Sequence, residues 1–114
     1  MKESEIKLRV VLDDENIPEK IYWDATEKEN KGEEETKSVS LNIWDHQNQT
    51  TLRIDLWGKE MPIDEMKRFY VDCLGGLSQS ILNATGDKYM STEMNQLCDK
   101  LVKHLEDEIK NNPA

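Results

Sequence analysis

Cations, aromatic rings and long apolar runs are all scarce in this chain of 114 residues. Fifteen Lys and Arg stand against twenty-four Asp and Glu, for a net charge of −9. That deficit argues against a nucleic-acid partner, because phosphate binding works through Lys and Arg that release counterions. It also repels anionic lipid. What it favours is solubility, or a basic or apolar partner. No run approaches the roughly 18 apolar residues of a membrane span. The opening MKESEIKLRVVLDD has no apolar stretch of about 7–15 residues such as a signal peptide carries. Membrane insertion is therefore not expected, and the expected location is the cytoplasm. Only two cysteines occur, Cys73 and Cys98, both in predicted helices. A bridge between them is conceivable if those helices are antiparallel, but a chain without an export signal is expected to keep both as thiols.

Only 36% of the residues are hydrophobic, so a core has to be drawn from well-patterned elements. The length is that of one domain, 1–114, with an ordered core over about 4–109. Ile6, Leu8, Val10 and Leu12 alternate with Lys7, Arg9 and Val11, the period-2 pattern of a half-buried strand. Asp13 to Pro18 form a polar loop, and Ile21, Trp23 and Ala25 make the inward row of a second strand. Pairing Leu12 with Ile21 puts Val10 opposite Trp23, both apolar rows on one side. Residues 27–37, EKENKGEEETK, have no apolar side chain and read as a solvated, mobile connection. A third strand runs from Ser38 to Asp45 and a fourth from Thr50 to Trp57. A turn centred on Gln47-Asn48, with Asn48 left-handed, pairs Ile43 with Leu52, Leu41 with Ile54 and Val39 with Leu56.

Pro62 suits the first position of a helix, and Asp64 and Glu65 suit the positive end of its dipole. Ile63, Met66, Tyr70, Cys73, Leu74, Leu77, Ile81 and Ala84 keep helical spacing to Thr85, where Gly86 reads as the stop. Ser91 reads as the N-cap of a second helix bearing Met94, Leu97, Cys98, Leu101, Val102, Leu105 and Ile109. The tail 111–114 is expected to fray. Gly75-Gly76 breaks the helical rule, which either close packing or a kink would compensate. The fold class expected is α+β: a four-stranded antiparallel meander followed by two helices packed on one face, β-β-β-β-α-α.

Catalytic and metal-binding constellations are missing. His46 falls in a turn and His104 on a helix, with no Cys or His at zinc-ligand spacing. His104 and Glu108, four apart, read as a solvated surface pair. Asp13, Asp14 and Glu15 lack the spacing and glycine of a calcium loop. Ser78 and Ser80 have no identifiable base, and no phosphate-cradling glycine motif occurs. The residues point to no enzyme activity and no cofactor.

The outward face of the sheet is more informative. It carries Arg9, Val11, Tyr22, Trp44, Arg53 and Trp57, with Ser40, Asn42 and Asp55 among them. Tryptophan, tyrosine and arginine are the residues that anchor protein interfaces. Two readings stay open: an interaction face, or two strand-end tryptophans covered by the segment 27–37.

IPEKIYWDA at 17–25 and WDHQNQTTLRIDLWGKEMPIDEMKRFY at 44–70 resemble the gliding motility protein GldC family of the Bacteroidota. The similarity runs from about Glu3 to Ile109. It implies a cytoplasmic protein associated with gliding, an apparatus tied to protein secretion, and brings no catalytic or cofactor-binding residue. A weaker similarity is architectural: an acidic β-β-β-β-α-α plan is similar to that of the SecB secretion chaperones, which bind unfolded clients as a dimer of dimers. The function expected is a non-enzymatic accessory protein of gliding motility that self-associates and acts through protein contacts, with components of the gliding or secretion machinery as partners. A holdase for exported clients is the alternative.

Overall fold

The computed structural model describes residues 1–111, so the fraying expected of the tail lies outside the described residues beyond Asn111. The chain divides into two compact units, Met1–Met61 and Pro62–Ala114. The first is all strand: β1 (Ile6–Leu12), β2 (Pro18–Ala25), β3 (Glu34–Thr36), β4 (Ser38–Asp45) and β5 (Thr50–Trp57). The second is a hairpin of two helices, α1 (Ile63–Thr85) and α2 (Lys88–Asn111). The class is therefore α+β, with two helices after the strands.

The single four-stranded meander is not what forms. The strands make a three-stranded antiparallel sheet ordered β1-β2-β3 and a separate antiparallel pair β4-β5. The extra strand arises inside residues 27–37, the segment whose charge reads as a solvated connection. Ile21 pairs with Thr36, Tyr22 with Glu35 and Trp23 with Glu34. Lys28 closes that segment. Its side chain is almost fully buried, 3.0 Å from Glu34 and 4.0 Å from Asp24. Its ammonium sits 4.8 Å from the centre of the Trp23 ring and donates to the Gly32 carbonyl. A buried cation held by two carboxylates, a carbonyl and an indole face has the partners that make burial tolerable.

The division between the sheets falls at Lys37. Thr36 Oγ1 donates to the Ser38 carbonyl at 3.2 Å, and the Ser38 amide returns a bond to Thr36 Oγ1. This local exchange competes with the ladder, so the chain that pairs with β2 up to Thr36 pairs with β5 from Ser38 onward. Gly58 N donates to the Lys37 carbonyl at 2.8 Å and Lys59 N to the Pro18 carbonyl at 3.3 Å, tying the end of β5 to the join.

The β1-β2 register is also two residues away from the expected one. Val10 lies opposite Ile21 and Leu8 opposite Trp23, with an irregularity at Val11/Leu12 that brings Leu12 opposite Pro18. The loop is the cause. Asp13 Oδ1 accepts from the amides of Glu15 and Ile17, at 2.8 and 3.0 Å, and Asn16 takes φ 62°. A slip of two keeps the side-chain parity, so the apolar rows still share a face, and Ile21 there is fully buried.

The β4-β5 register agrees with the pattern throughout, from Ser38 opposite Trp57 to Asp45 opposite Thr50. Its turn differs. The left-handed residue is Gln49, φ 52°, not Asn48. Asp45 organises the loop by accepting from the amides of Gln47 and Asn48 and from the Asn48 side chain.

In the helical unit Pro62 stands just outside α1 as its N-cap, and Gly86, φ 74°, closes it by donating to the Leu82 carbonyl at 2.9 Å. Ser91 is not the cap of α2. Asp87 fills that role, accepting from Met90 N at 3.0 Å, and α2 begins at Lys88. Ser91 is instead buried against α1: Ser78 Oγ lies 3.2 Å from its carbonyl and donates to Asn95 Oδ1 at 2.6 Å. Cys98 Sγ donates to the Val71 carbonyl at 3.6 Å, and both cysteines are thiols. A Cβ on Gly75 would come within 3.5 Å of Cys98 Sγ, whereas one on Gly76 would meet nothing within 4 Å. Close approach of the helices therefore accounts for Gly75; nothing in the structure explains Gly76.

Two outcomes follow for stability. Gly76→Ala should stabilise by about 0.5–1 kcal/mol through helix propensity, whereas Gly75→Leu should destabilise by about 1–3 kcal/mol by forcing α2 away; denaturant midpoints measure both. The Asp13 carboxyl is held below the usual carboxylate range, first by the Ile17 and Glu15 amides and then by Lys59, 3.1 Å away. A depressed folded pKa stabilises fully above the unfolded value near 4 and is lost as pH falls through the folded value. Asp13→Ala should thus lower the melting temperature at pH 7 and flatten its decline as pH falls below about 4.

Candidate functional site

The six outward residues separate into two groups. Arg9 and Tyr22 are cross-strand partners in the first sheet, with the guanidinium 4.4 Å from the ring centre. Glu33 completes the group: both its oxygens accept from Arg9, at Nε and at Nη2, each at 2.9 Å. The pairing holds the Glu33 carboxyl below its ordinary range and raises Arg9. Val11 lies two residues along β1 from Arg9, so alternation gives it the same face, and it is exposed. The Glu33-Glu34-Glu35 run reads from sequence as solvated charge. In the structure it supplies the clamp on Arg9 and a partner for Lys28.

The second group lies on β4-β5. One face of the pair carries Trp44, Asn42, Ser40 and Ser38 against Thr51, Arg53, Asp55 and Trp57. Asp55 organises its middle, accepting from Ser40 Oγ at 2.8 Å and lying 3.1 Å from Arg53. The Ser40 hydroxyl, then Arg53, draws the Asp55 carboxyl below the usual range. The two tryptophans occupy opposite ends of this face, six residues apart along the ladder, or about 20 Å. Trp44 is 63% exposed and Trp57 47%. Among the described residues no hydrogen bond, ion pair or ring contact joins this group to Arg9 and Tyr22, and none engages either tryptophan. Within residues 27–37, Glu33 binds Arg9 and Lys28 lies over the Trp23 ring.

The opposite face of the same pair is exposed as well. Ile43, Leu52 and Ile54 stand open to about half their area. Sequence alternation assigns these to the inward row, so their exposure goes unseen at that stage. The readable signal is a strand pair with aliphatics on one face and, on the other, a polar middle ended by two tryptophans.

Elsewhere the polar groups are engaged in structural pairs. His104 Nε2 lies 2.6 Å from Glu108, which Lys67 of α1 also holds at 3.0 Å, so the pair is a link between helices. Lys67 is the leading cause of the lowered Glu108 pKa. Ser78 is buried in the helix seam and Asp13 serves its turn. A hollow of about 290 Å³ is lined by Glu5, Lys7, Asp24, Ala25, Thr26, Lys31 and Gly32. Charges of both signs line it, and Lys31 donates to the Thr26 carbonyl. Among the described residues no three His, Cys, Asp or Glu converge as metal ligands, and no helix is long and apolar enough to cross a membrane.

Comparison with curated proteins and with solved structures gives no match. A family model does match, over residues 18–107, and its description is gliding motility-associated protein GldC-like. That span takes in β2 to β5, both helices as far as Asp107, and four of the six outward residues, Tyr22, Trp44, Arg53 and Trp57; Arg9 and Val11 of β1 precede it. Covering most of the chain, it places the protein in the GldC-like family.

Proposed function

We propose that this is a cytoplasmic, non-enzymatic accessory protein of gliding motility that works by binding other proteins, itself included. The process is supported by the family match over residues 18–107. Its mode of action is supported by one observation above the rest: two tryptophans stand largely exposed on a strand face whose charges are already internally paired. Aromatic side chains of that size, left in water, contribute strongly when a partner covers them. The Arg53–Asp55–Ser40 group between them offers a pre-formed polar centre, and components of the gliding or secretion machinery are the partners this reading expects. The thiol state of Cys73 and Cys98 fits a reducing compartment.

A second reading, a holdase for exported clients, is favoured by the exposed aliphatic row Ile43, Leu52 and Ile54 behind the tryptophans. A strand pair open on both faces could take up unfolded segments. It predicts suppression of client aggregation at near-stoichiometric ratios, and no suppression removes it.

Replacing Trp44 and Trp57 together by Ser should leave the circular dichroism and melting temperature close to those of the parent. Proteins of the gliding or secretion machinery that co-purify from a gliding cell, identified by mass spectrometry, should be lost with the double variant. An unchanged set of co-purifying proteins would sink the tryptophan-face reading.

A further inference from the structure

The helical hairpin has a second apolar flank beside its seam. Towards α2, α1 presents residues spaced four and three apart. Lys67 pairs with Glu108, Val71 with Cys98, and Ser78 with Ser91 and Asn95, with Leu74 and Ile81 in the same series. The residues buried in this unit are Ser78 and Ser91, and Gly75 lets the helices approach closely. The seam buries Ser78 and Ser91 and half-buries Val71, Leu74 and Ile81, which leaves apolar side chains of a second face of the hairpin in water.

That face is legible on α1. Ile63, Met66, Tyr70, Cys73, Leu77, Ser80 and Ala84 form a second four-and-three series, turned about 100° from the first. None of the seven is charged. α2 extends the same flank with Met90 and Leu97. Each stands one residue before a contact residue of the hairpin seam, Ser91 and Cys98, as Tyr70 and Leu77 stand before Val71 and Ser78. In an antiparallel pair those positions adjoin. Ile63 is 72% exposed and Tyr70 37%, with Leu77, Met90 and Leu97 near one half, while Met66 and Cys73 are half-buried.

We infer that this flank is a dimer interface: α1 packs antiparallel on α1 of a second copy, with α2 of each copy at its side, in a four-helix bundle. The reason for a second copy lies in the order of the residues. Cys73 is the middle of the series. Reversing the series about Cys73 lays Ile63 against Ala84, Met66 against Ser80 and Tyr70 against Leu77. At the outer positions a large side chain meets a small one, the self-complementarity that an isologous interface requires. Area agrees. With ~200 Å² for a fully exposed large apolar side chain, Ile63, Tyr70, Leu77, Met90 and Leu97 present roughly 500 Å² per copy, more than half of the ~800 Å² per partner in a standard interface.

Charge is placed to permit it. Residues 62–111 hold nine carboxylates against six Lys and Arg, whereas residues 1–61 hold fifteen against nine. Two copies therefore meet through their less acidic halves, across a strip with no charge of its own. A basic partner would be drawn to the other unit.

Sedimentation velocity of the full chain over a concentration series reads the dimer directly. Leu77→Glu buries two new carboxylates per dimer and should raise the dissociation constant at least ~100-fold. Trp44→Ser with Trp57→Ser should leave the dimer intact, which separates this test from that of the tryptophan face. A short bis-maleimide should cross-link the unmodified protein into dimers. Cys73→Ser should abolish the cross-link and Cys98→Ser should spare it. Should Leu77→Glu fail to fold, the Cys73 cross-link decides. A parent protein that stays monomeric at high micromolar concentration overturns the inference, and so does a dimer whose only cross-link passes through Cys98.

Discussion

The strand unit depends on one buried cation. Lys28 is drawn in among Asp24, Glu34, the Gly32 carbonyl and the Trp23 ring. Without that set of partners its burial would be costly, and without Lys28 the acidic chain around it would keep only the Arg9–Glu33 pair and the Lys31 bond to fold it back. The fold-back brings Glu34 opposite Trp23 and carries Glu33 to Arg9, so β3 exists because its carboxylates have somewhere to go. Once β3 is fixed, the chain must pass from β2's partner to β5's partner within the single residue Lys37. The Thr36–Ser38 exchange and the Gly58 bond to the Lys37 carbonyl define that passage. The division into two sheets is thus a consequence of where an otherwise hydrophilic loop finds its countercharge.

Local rules carried in the sequence place most of the elements. Alternation over Thr50–Trp57 and Ser38–Asp45 dictates every cross-strand pair of the β4-β5 ladder, because a one-residue slip would exchange its two faces and a short loop leaves little freedom. Helical spacing, Pro62 and Gly86 bound α1. The failures share a cause. Residues 27–37 contain no apolar side chain, and period-based reading sees nothing in them, since the forces that order them are polar pairings, Glu33 with Arg9 far back in the chain and Lys28 with Asp24 and Glu34. The Leu12–Ile21 pairing fails for a similar reason. Asp13 shortens its loop by accepting two amides, which parity alone cannot register. Ser91 has the chemistry of a cap, yet Asp87 reaches Met90 first and frees Ser91 for the seam.

For the candidate site, composition located the face and left its condition open. Arg9, Tyr22, Trp44, Arg53 and Trp57 belong to outward rows as the alternation requires. The sequence could not tell which are already engaged. Arg9 spends its fork on Glu33 and its plane on Tyr22, leaving little to offer a partner without first breaking a bidentate pair. The tryptophans have no such engagement. Of the six, the proposed interaction therefore draws on those of the β4-β5 pair, where Arg53 lies 3.1 Å from Asp55.

Two exposed surfaces on one small chain invite the question of whether they compete. Their chemistry says otherwise. The α1 flank is uncharged, largely apolar and ordered large against small about Cys73, as the inferred dimer requires. The β4-β5 face is aromatic with a paired charge at its centre, a composition suited to a different protein. The two surfaces share no side chain. Doubling the chain through α1 would give two tryptophan faces per particle. If a partner offers two matching sites within reach, the second contact forms at an effective concentration set by geometry and not by the bulk, and weak faces bind firmly. A modest tryptophan face of about 20 Å on a self-paired scaffold is sufficient on that argument to hold an assembly together, with neither catalysis nor a cofactor needed.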